Sequence, residues 1–202
     1  MVINLREIAL KIFNYGLIKF GKFRLPSGIE SPFYINLREM YSYPDLVKII
    51  VDEMIKKISF NDVDAIAGIV TAGVPLASIL AYKLSIPLSY VRIEKDESKM
   101  EKIVEGVVSN QRICIVDDVA TTGYTMIKAI NNLVEAGAKP VKAAVVIDRE
   151  QGAYENISKF NVKLYSLMKV SDLLRILYEE ARLTYSEYVK LIDYITKTRV
   201  KT

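Results

Sequence analysis

Short apolar segments alternate with amphipathic segments through the middle of this chain. Apolar runs of four to eight residues favour strands, and apolar residues that recur every three or four positions favour helices. The pattern predicts strands at 64–70, 88–93, 102–108, 112–116, 141–148 and 162–166, and helices at 74–84 and 125–136. Strands that are apolar on both faces are typical of a parallel sheet covered by helices. The predicted fold class is therefore α/β, with a doubly wound, mostly parallel sheet.

Further helices are predicted toward both ends of the chain, and a pair of strands is predicted in its N-terminal part. Before the alternating region, the pattern predicts helices over 3–16 and 44–58 and strands over 20–25 and 31–37. After it, residues 171–197 carry apolar side chains at helical spacing, and this stripe favours core or dimer packing over a cofactor site. No repeat or linker interrupts the 202 residues, which favours a single domain.

Composition narrows the classes of function. The chain is 51% hydrophobic and 26% charged, as in ordinary globular proteins, and no apolar run reaches membrane-spanning length. The first residues lack the apolar stretch of a signal peptide, and Cys114 is the only cysteine, which excludes an internal disulfide. We therefore expect a cytoplasmic protein. The net charge of +4 suits small anionic substrates better than nucleic acid, and the absence of histidine removes the usual general base.

The strongest candidate site lies at 113–125. A predicted buried strand, Ile113–Val116, is followed by two adjacent carboxylates, Asp117 and Asp118, and then by a Thr-Thr-Gly-Tyr-Thr turn at 121–125. The turn offers hydroxyls, a flexible glycine and free N–H groups at a helix start, which together suit a phosphate. Because carboxylates repel phosphate, the two aspartates suit ribose hydroxyls or a magnesium ion. The implied ligand is a sugar phosphate.

The same stretch also has a purely structural interpretation, in which Thr121 or Thr122 caps the helix and both carboxylates lie in solvent. We favour the ligand site because several independent requirements coincide within one short segment. A second strand–loop–helix unit has Thr71, Ala72 and Gly73 in its loop and follows the same logic. Two such loops suggest a ligand with phosphates at both ends.

Three further features carry candidate chemistry. The charged segment 92–106 is interpreted either as a solvated hairpin or as a mobile flap that closes cationic side chains over a diphosphate. Arg149 follows a predicted strand, where it either forms a salt bridge or binds a planar carboxylate. Phe33 and Tyr34 lie on another predicted strand, where one ring can stack on a planar base while the other fills the core.

Together these segments resemble a known family. The stretch 113–125 resembles the phosphoribosyl pyrophosphate (PRPP) signature of the type I phosphoribosyltransferases, and almost the whole chain is similar to their orotate phosphoribosyltransferase branch. The other matching segments are 23–28, 31–36, 67–76, 90–92, 104–106 and 147–152. The resemblance implies the type I fold over 1–202, with a hood at 1–40 that covers the base, an α/β core at 60–168 and C-terminal helices at 169–202.

The resemblance also assigns site residues. It implies a PRPP site made by Thr71, Ala72, Gly73, Arg92, Lys95, Asp117, Asp118, Val119, Ala120, Thr121, Thr122, Gly123, Tyr124 and Thr125. It implies an orotate site made by Ser27, Gly28, Tyr34, Thr121 and Arg149. The implied catalytic residues are Arg92, Lys95, Asp117 and Asp118. Mg²⁺ would bridge the diphosphate and the ribose, with Asp117 or Asp118 as the candidate protein ligand.

The implied reaction transfers the phosphoribosyl group from PRPP to orotate and gives orotidine 5′-monophosphate and diphosphate, a step of pyrimidine (UMP) biosynthesis. Orotate is already an anion, so the site mainly has to stabilise a cationic sugar and a departing diphosphate. The resemblance further implies a homodimer with shared sites, in which the flap with Lys95 closes over the neighbouring subunit. Neither nucleic acid nor membrane is expected as a partner.

Several positions depart from the family pattern. Pro26, Ala72 and Ile93 stand where the resemblance implies lysine, and Glu97 stands at or near the position of a histidine. These departures leave open a non-catalytic sensor of PRPP or nucleotide, and a transferase for another base is a third hypothesis. The retained Arg149 argues against another base, and the lack of a basic recognition helix argues against a DNA-binding regulator. We therefore predict an active enzyme.

Overall fold

The computed structural model describes residues 4–24, 30–94 and 102–199. The helices are α1 (Leu5–Asn14), α2 (Pro44–Lys57), α3 (Gly73–Leu84), α4 (Tyr124–Glu135), α5 (Ala153–Ser158), α6 (Val170–Glu179) and α7 (Tyr185–Thr198). The strands are β1 (Ile18–Arg24), β2 (Glu30–Ile35), β3 (Ala65–Ile69), β4 (Leu88–Val91), β5 (Val104–Glu105), β6 (Arg112–Ala120), β7 (Lys139–Asp148) and β8 (Lys163–Lys169). A 3-10 helix, Leu37–Ser42, lies between β2 and α2.

A six-stranded sheet lies at the centre, in the order β5-β4-β3-β6-β7-β8. Neighbouring strands are parallel except β5, which pairs antiparallel with β4. Alternation along β6 directs Cys114 and Val116 into one buried cluster and Ile113 and Ile115 into another, so helices cover both faces. Helices α1, α2, α3, α6 and α7 contribute to the first cluster, and α4 and α5 to the second. The predicted α/β fold with a mostly parallel sheet is confirmed.

Strand β6 is longer than the apolar pattern predicted. It continues to Ala120 because β7 continues beside it, with Asp117 opposite Val145 and Ala120 opposite Asp148. On its other side, pairing with β3 ends at Val116. The two aspartates therefore lie within a strand that is paired on one side only, at the edge where the parallel strands end. This is the edge at which open α/β sheets bind ligands.

The C-terminal region, predicted as helical over 171–197, consists of two helices, α6 and α7. Helix α7 begins with a capping box, in which the Thr184 side chain accepts the backbone N–H of Glu187 and the Glu187 carboxylate accepts that of Thr184. The Thr-x-x-Glu spacing is present in the sequence and marks the start of α7, and thus the division of this region into two helices. The strand predicted at 102–108 is shorter, Val104–Glu105.

Strands β1 and β2 form a separate antiparallel hairpin, in which Ile18 lies opposite Ile35 and Phe20 lies opposite Phe33. The buried side chains of the hairpin join the same cluster as those of α1 and α7. The hairpin is therefore anchored on this core, and its Ser31 side chain contacts Arg149, just after the end of β7. In the described ranges, no helix combines the length and apolar character needed to cross a membrane.

Candidate functional site

Two adjacent carboxylates, Asp117 and Asp118, form the acid pair of the site. The backbone N–H of Asp118 donates to Asp117 Oδ1 at 2.9 Å, and that of Val119 donates to Asp118 Oδ1 at 2.8 Å. Burial raises the pKa of both carboxyls, and the neighbouring charge of Asp118 raises the pKa of Asp117 further. Ionising both groups is therefore costly in the free protein, and the pair suits a ligand that brings hydroxyl donors or a cation.

The loop before α3 lies directly against the acid pair. A Cβ atom added to Gly73 would lie 2.2 Å from the Val116 carbonyl oxygen and 3.1 Å from Asp117 Cα, so only glycine fits this contact. Ala72 occupies the N-cap of α3 and provides no side-chain hydrogen bond to the helix start. The first N–H groups of α3 receive no bond from the N-cap side chain and are therefore available to an anion, as helix N-termini commonly are.

A second helix start, that of α4, follows β6. Gly123 is the N-cap, with a φ of +85° that side-chain-bearing residues rarely adopt, and the Thr122 hydroxyl accepts the backbone N–H of Tyr124 at 3.4 Å, as the structural interpretation of this turn predicted. The first turn of α4 carries no acidic residue that would repel a phosphate. Helix α5 braces this loop, because the Asn156 side-chain amide donates to the Thr122 carbonyl at 2.9 Å. The loop 121–125, which was predicted to bind a phosphate, therefore lies at a helix start whose first turn carries no acidic residue.

The 3-10 helix Leu37–Ser42 contributes a side chain that sequence reasoning missed. The Tyr41 hydroxyl donates to the Ala72 carbonyl at 3.0 Å and so ties this helix to the loop before α3. Burial raises the pKa of Tyr41, and the charge of Asp118 raises it further. A single six-residue helix gives too little periodicity to be recognised, and the only signal was a tyrosine shortly after the matched segment 31–36.

Arg149 lies at the end of β7, beside the phosphate loop. Its backbone N–H donates to the Ala120 carbonyl at 2.9 Å, which places it next to Thr121. Its guanidinium donates to Ser31 Oγ at 3.3 Å and lies 4.6 Å from the centre of the Phe33 ring. The residue is only 5% exposed, and burial lowers its pKa.

The guanidinium of Arg149 nevertheless makes no ion pair within the described ranges, and its Nε atom is buried without a hydrogen-bond partner. A salt bridge was one of the two interpretations of Arg149 from the sequence. Among the described residues, no such salt bridge is present. A buried cation without a counter-charge is costly, and an anionic ligand removes this cost. Arg149 is thus the strongest candidate for binding a carboxylate.

Helix α7 forms one wall around Arg149. The Tyr194 ring meets the Phe33 ring edge-on at 5.9 Å, and its hydroxyl is buried with no hydrogen-bond partner among the described residues. The Gln151 amide donates to Thr198 Oγ1 at 3.1 Å, which ties the end of α7 to the segment after β7. The apolar stripe of the C-terminal region packs as core, as predicted, and the same helix also borders the candidate site.

Tyr34 lies apart from this cluster. It is 39% exposed, and its ring packs 5.8 Å from that of Phe23, while the buried residues Ser31 and Phe33 alternate with it along β2. The ring that contacts Arg149 is therefore that of Phe33. The sequence places two aromatic residues side by side and could not show which of the two rings faces Arg149.

Arg92 lies at the base of the charged segment. Its guanidinium donates to the Lys102 carbonyl at 2.8 Å, lies 3.6 Å from the Glu105 carboxylate and packs 5.3 Å from the Tyr90 ring centre. The structure thus holds Arg92 against the β4–β5 pair. Other predicted positions, namely Ser27, Gly28 and Lys95 as well as the departures Pro26 and Glu97, lie outside the described residues.

Comparison with known proteins identifies the family. The profile of the phosphoribosyl transferase domain matches residues 40–166. The orotate phosphoribosyltransferase of Saccharolobus solfataricus is 40% identical over 181 residues, which cover 90% of this chain and 92% of the relative. That of Pyrococcus abyssi is 42% identical over 171 residues, which cover 83% of this chain and 93% of the relative.

Solved structures agree with these relatives. The crystal structure of orotate phosphoribosyltransferase from Aeropyrum pernix matches with a TM-score of 0.75 at 31% identity, over 86% of this chain and 99% of that one. The structure of Leishmania donovani UMP synthase matches with a TM-score of 0.86 at 28% identity over 95% of this chain, which spans 42% of that longer protein. The chain therefore belongs to the phosphoribosyltransferase family and, within it, to the orotate phosphoribosyltransferases.

Proposed function

We propose that this chain transfers the phosphoribosyl group from PRPP to orotate, giving orotidine 5′-monophosphate and diphosphate for pyrimidine biosynthesis. The observation that carries the proposal is Arg149, a buried cation without an ion pair in the described ranges. Its backbone N–H donates to the carbonyl of Ala120, the residue before the phosphate loop. A carboxylate on a flat ring satisfies it through paired hydrogen bonds. Ordinary purine and pyrimidine bases carry no such group.

The remaining roles follow from the geometry of the two helix starts. Residues 121–125 bind the 5-phosphate at the start of α4, with Val119 and Ala120 as the strand that leads into this loop. Asp117 and Asp118 bind the ribose hydroxyls, which donate to carboxylates without repulsion. The loop 71–73 at the start of α3 binds the diphosphate, so the ribose spans the distance between the two helices.

Mg²⁺ fits this donor set. Within the described ranges, no group of three or more His, Cys, Asp or Glu side chains is arranged to hold a metal ion. The acid pair supplies two hard carboxylates, and Mg²⁺ is commonly bound by one or two carboxylates together with substrate phosphates. Asp117 or Asp118 would therefore hold the ion jointly with PRPP. When bound, it would neutralise part of the charge on the diphosphate.

The reaction exchanges one bond at the ribose C1. The bond from C1 to the diphosphate oxygen breaks with its electron pair leaving on oxygen. A ring nitrogen of orotate donates the pair that forms the new C1–N bond, and the proton of that nitrogen passes to an oxygen of the departing diphosphate. Positive charge develops on the sugar between these events, and the two ionised aspartates stabilise it. Because the departing diphosphate can accept the proton of the ring nitrogen, the step requires no histidine, in agreement with a chain that has none.

We further propose that the enzyme works as a cytoplasmic homodimer with shared sites. In this arrangement the segment after β4 closes over the diphosphate of the neighbouring subunit, with Arg92 and Lys95 as its cationic residues. The contacts of Arg92 with Lys102 and Glu105 support a role at the hinge of that segment. Closure excludes water from the reacting sugar.

The proposal is tested by following orotate absorbance with purified protein, PRPP and Mg²⁺, beside parallel reactions with uracil, hypoxanthine and adenine. We expect orotate to be consumed only when PRPP is present, with little or no reaction of the other bases. Consumption of another base in preference to orotate would contradict the role of Arg149. Binding of PRPP without turnover of any base would support the sensor alternative.

A further inference from the structure

The loop before α3, which is proposed to bind the diphosphate, lacks a positively charged side chain. Its residues, Val70, Thr71, Ala72 and Gly73, carry no charged side chain. The acid pair beside it is negative when ionised, so a bound diphosphate would meet repulsion there. Backbone N–H groups at the start of α3 offer only partial positive charge. A cationic side chain from another element would complete this part of the site.

Arg38 is placed to supply that charge. It lies on the 3-10 helix Leu37–Ser42, three residues before Tyr41. Side chains at i and i+3 of a 3-10 helix eclipse one another, so Arg38 and Tyr41 share a face. The hydrogen bond from Tyr41 to the Ala72 carbonyl, at 3.0 Å, turns this face toward the loop before α3.

Two further observations describe the Arg38 side chain. It is exposed, and it forms no salt bridge within the described part of the chain, so its donors are available to a ligand. The 3-10 helix that carries it packs against β6, the strand of the acid pair, and its charge opposes the rise in pKa of both Asp117 and Asp118. The side chain is thus close to both the carboxylates and the diphosphate loop.

We propose that Arg38 binds the diphosphate group of PRPP and supplies the cation that the loop before α3 lacks. This inference rests on the function proposed above, because it takes PRPP as the substrate. A planar guanidinium can donate two parallel hydrogen bonds to phosphate oxygens. Arg38 would then hold the leaving group, while Asp117 and Asp118 hold the ribose.

Titration calorimetry of the full chain with Mg²⁺ measures binding of the diphosphate half and of the ribose-phosphate half of the substrate separately. Three probes are compared: PRPP, inorganic diphosphate and ribose 5-phosphate. The variants are Arg38→Ala, Arg38→Lys and the control Arg175→Ala, which removes an exposed arginine on α6 paired with Asp172 and Glu179. Thermal melts confirm that each variant is folded.

We expect Arg38→Ala to weaken binding of PRPP and diphosphate by about ten- to one-hundred-fold, equal to about 1.4–2.8 kcal/mol, and to change ribose 5-phosphate binding less than about twofold. Arg38→Lys should recover part of the loss, since it restores the charge without the planar donors. Arg175→Ala should bind all three probes as the unmodified chain does.

Three results would overturn the inference. Unchanged binding of diphosphate by Arg38→Ala would show that Arg38 does not contact it. Equal losses for diphosphate and ribose 5-phosphate would show that Arg38 acts through the acid pair instead. Full activity of Arg38→Ala at limiting PRPP would exclude it from the substrate site. Failure of the unmodified chain to bind PRPP at all would instead refute the proposed function.

Discussion

Replacing Asp117 by asparagine should stabilise the ligand-free protein while abolishing its function. The Asp117 carboxyl is 8% exposed, and its pKa is raised by burial and then by the charge of Asp118. Asparagine has the same shape and keeps an oxygen to accept the Asp118 N–H, now at 2.9 Å. The substitution therefore removes the buried charge but preserves the local hydrogen bond.

The sign of the pH dependence follows from the direction of the pKa shift. A carboxyl whose pKa is raised in the folded state holds its proton more tightly there than in the unfolded chain. Its contribution to stability is therefore present at low pH and is lost as pH rises from the ordinary value of 3.8 through the raised value. The increase in the free energy of unfolding caused by Asp117→Asn should accordingly be large at neutral pH and small near pH 4.

The magnitude can be bounded from the same geometry. Each pKa unit corresponds to about 1.4 kcal/mol, and relieving a poorly compensated buried group is worth on the order of 1–3 kcal/mol. For a chain of this size, each kcal/mol raises the melting temperature by about 2–4 °C. Urea unfolding at about pH 4, 6 and 8 measures the effect in the absence of ligand, because bound substrate would stabilise only the unmodified chain.

Asp193→Asn, which changes an exposed carboxylate on α7, serves as the control and should leave stability nearly unchanged at every pH. Asp117→Asn should also lose measurable PRPP binding, since the ribose hydroxyls lose a charged acceptor. A variant that is less stable than the unmodified chain at neutral pH, or that shows the same pH dependence, would refute the reasoning about burial. Retained PRPP affinity would refute the ribose role.

Three other substitutions test the remaining parts of the site. Arg149→Ala should raise the KM for orotate by about one-hundred-fold, as expected for a lost charge-assisted pair, and should change the KM for PRPP far less. Equal increases of both KM values in steady-state kinetics would contradict the role of Arg149 in binding the orotate carboxylate. Gly73→Ala places a Cβ 2.2 Å from the Val116 carbonyl oxygen and should cost about 1–3 kcal/mol of stability together with PRPP affinity; a melt and a binding curve like those of the unmodified chain would show that the contact relaxes freely. Tyr194→Phe removes a buried hydroxyl without a hydrogen-bond partner and should be neutral or stabilising by up to about 1 kcal/mol in urea unfolding; a loss of stability would reveal a bond to that hydroxyl.

The sequence predicted the sheet well because its strands are buried on both faces. Runs such as Ile113–Val116 are continuous and apolar, so a pattern of burial was enough to locate them. The same criterion ended the strand four residues early, since Asp117 and Asp118 were interpreted as a loop. Backbone pairing with β7, which extends β6 to Ala120, is a tertiary effect that local polarity does not report.

The sequence predicted those parts of the site that lie in a loop between a strand and the helix that comes next in the chain. The loops 71–73 and 121–125 both come from local sequence order, and the structure brings them to one edge of the sheet. The surroundings of Arg149 were not predictable, because Ser31 contacts it from a distant segment and Tyr194 of α7 packs against the neighbouring Phe33 ring. Arg38 was missed for the same reason, since its place beside the acid pair depends on how the 3-10 helix packs.

The central claim is that this chain joins a phosphoribosyl group to orotate. Its most direct test is the formation of orotidine 5′-monophosphate, measured by chromatography, from orotate, PRPP and Mg²⁺ with the purified full chain. The double variant Asp117→Asn with Asp118→Asn serves as the inactive reference. We expect one product molecule and one diphosphate for each orotate consumed, with no product from the double variant. Absence of product from the unmodified chain despite bound PRPP, or equal product from both chains, would contradict it.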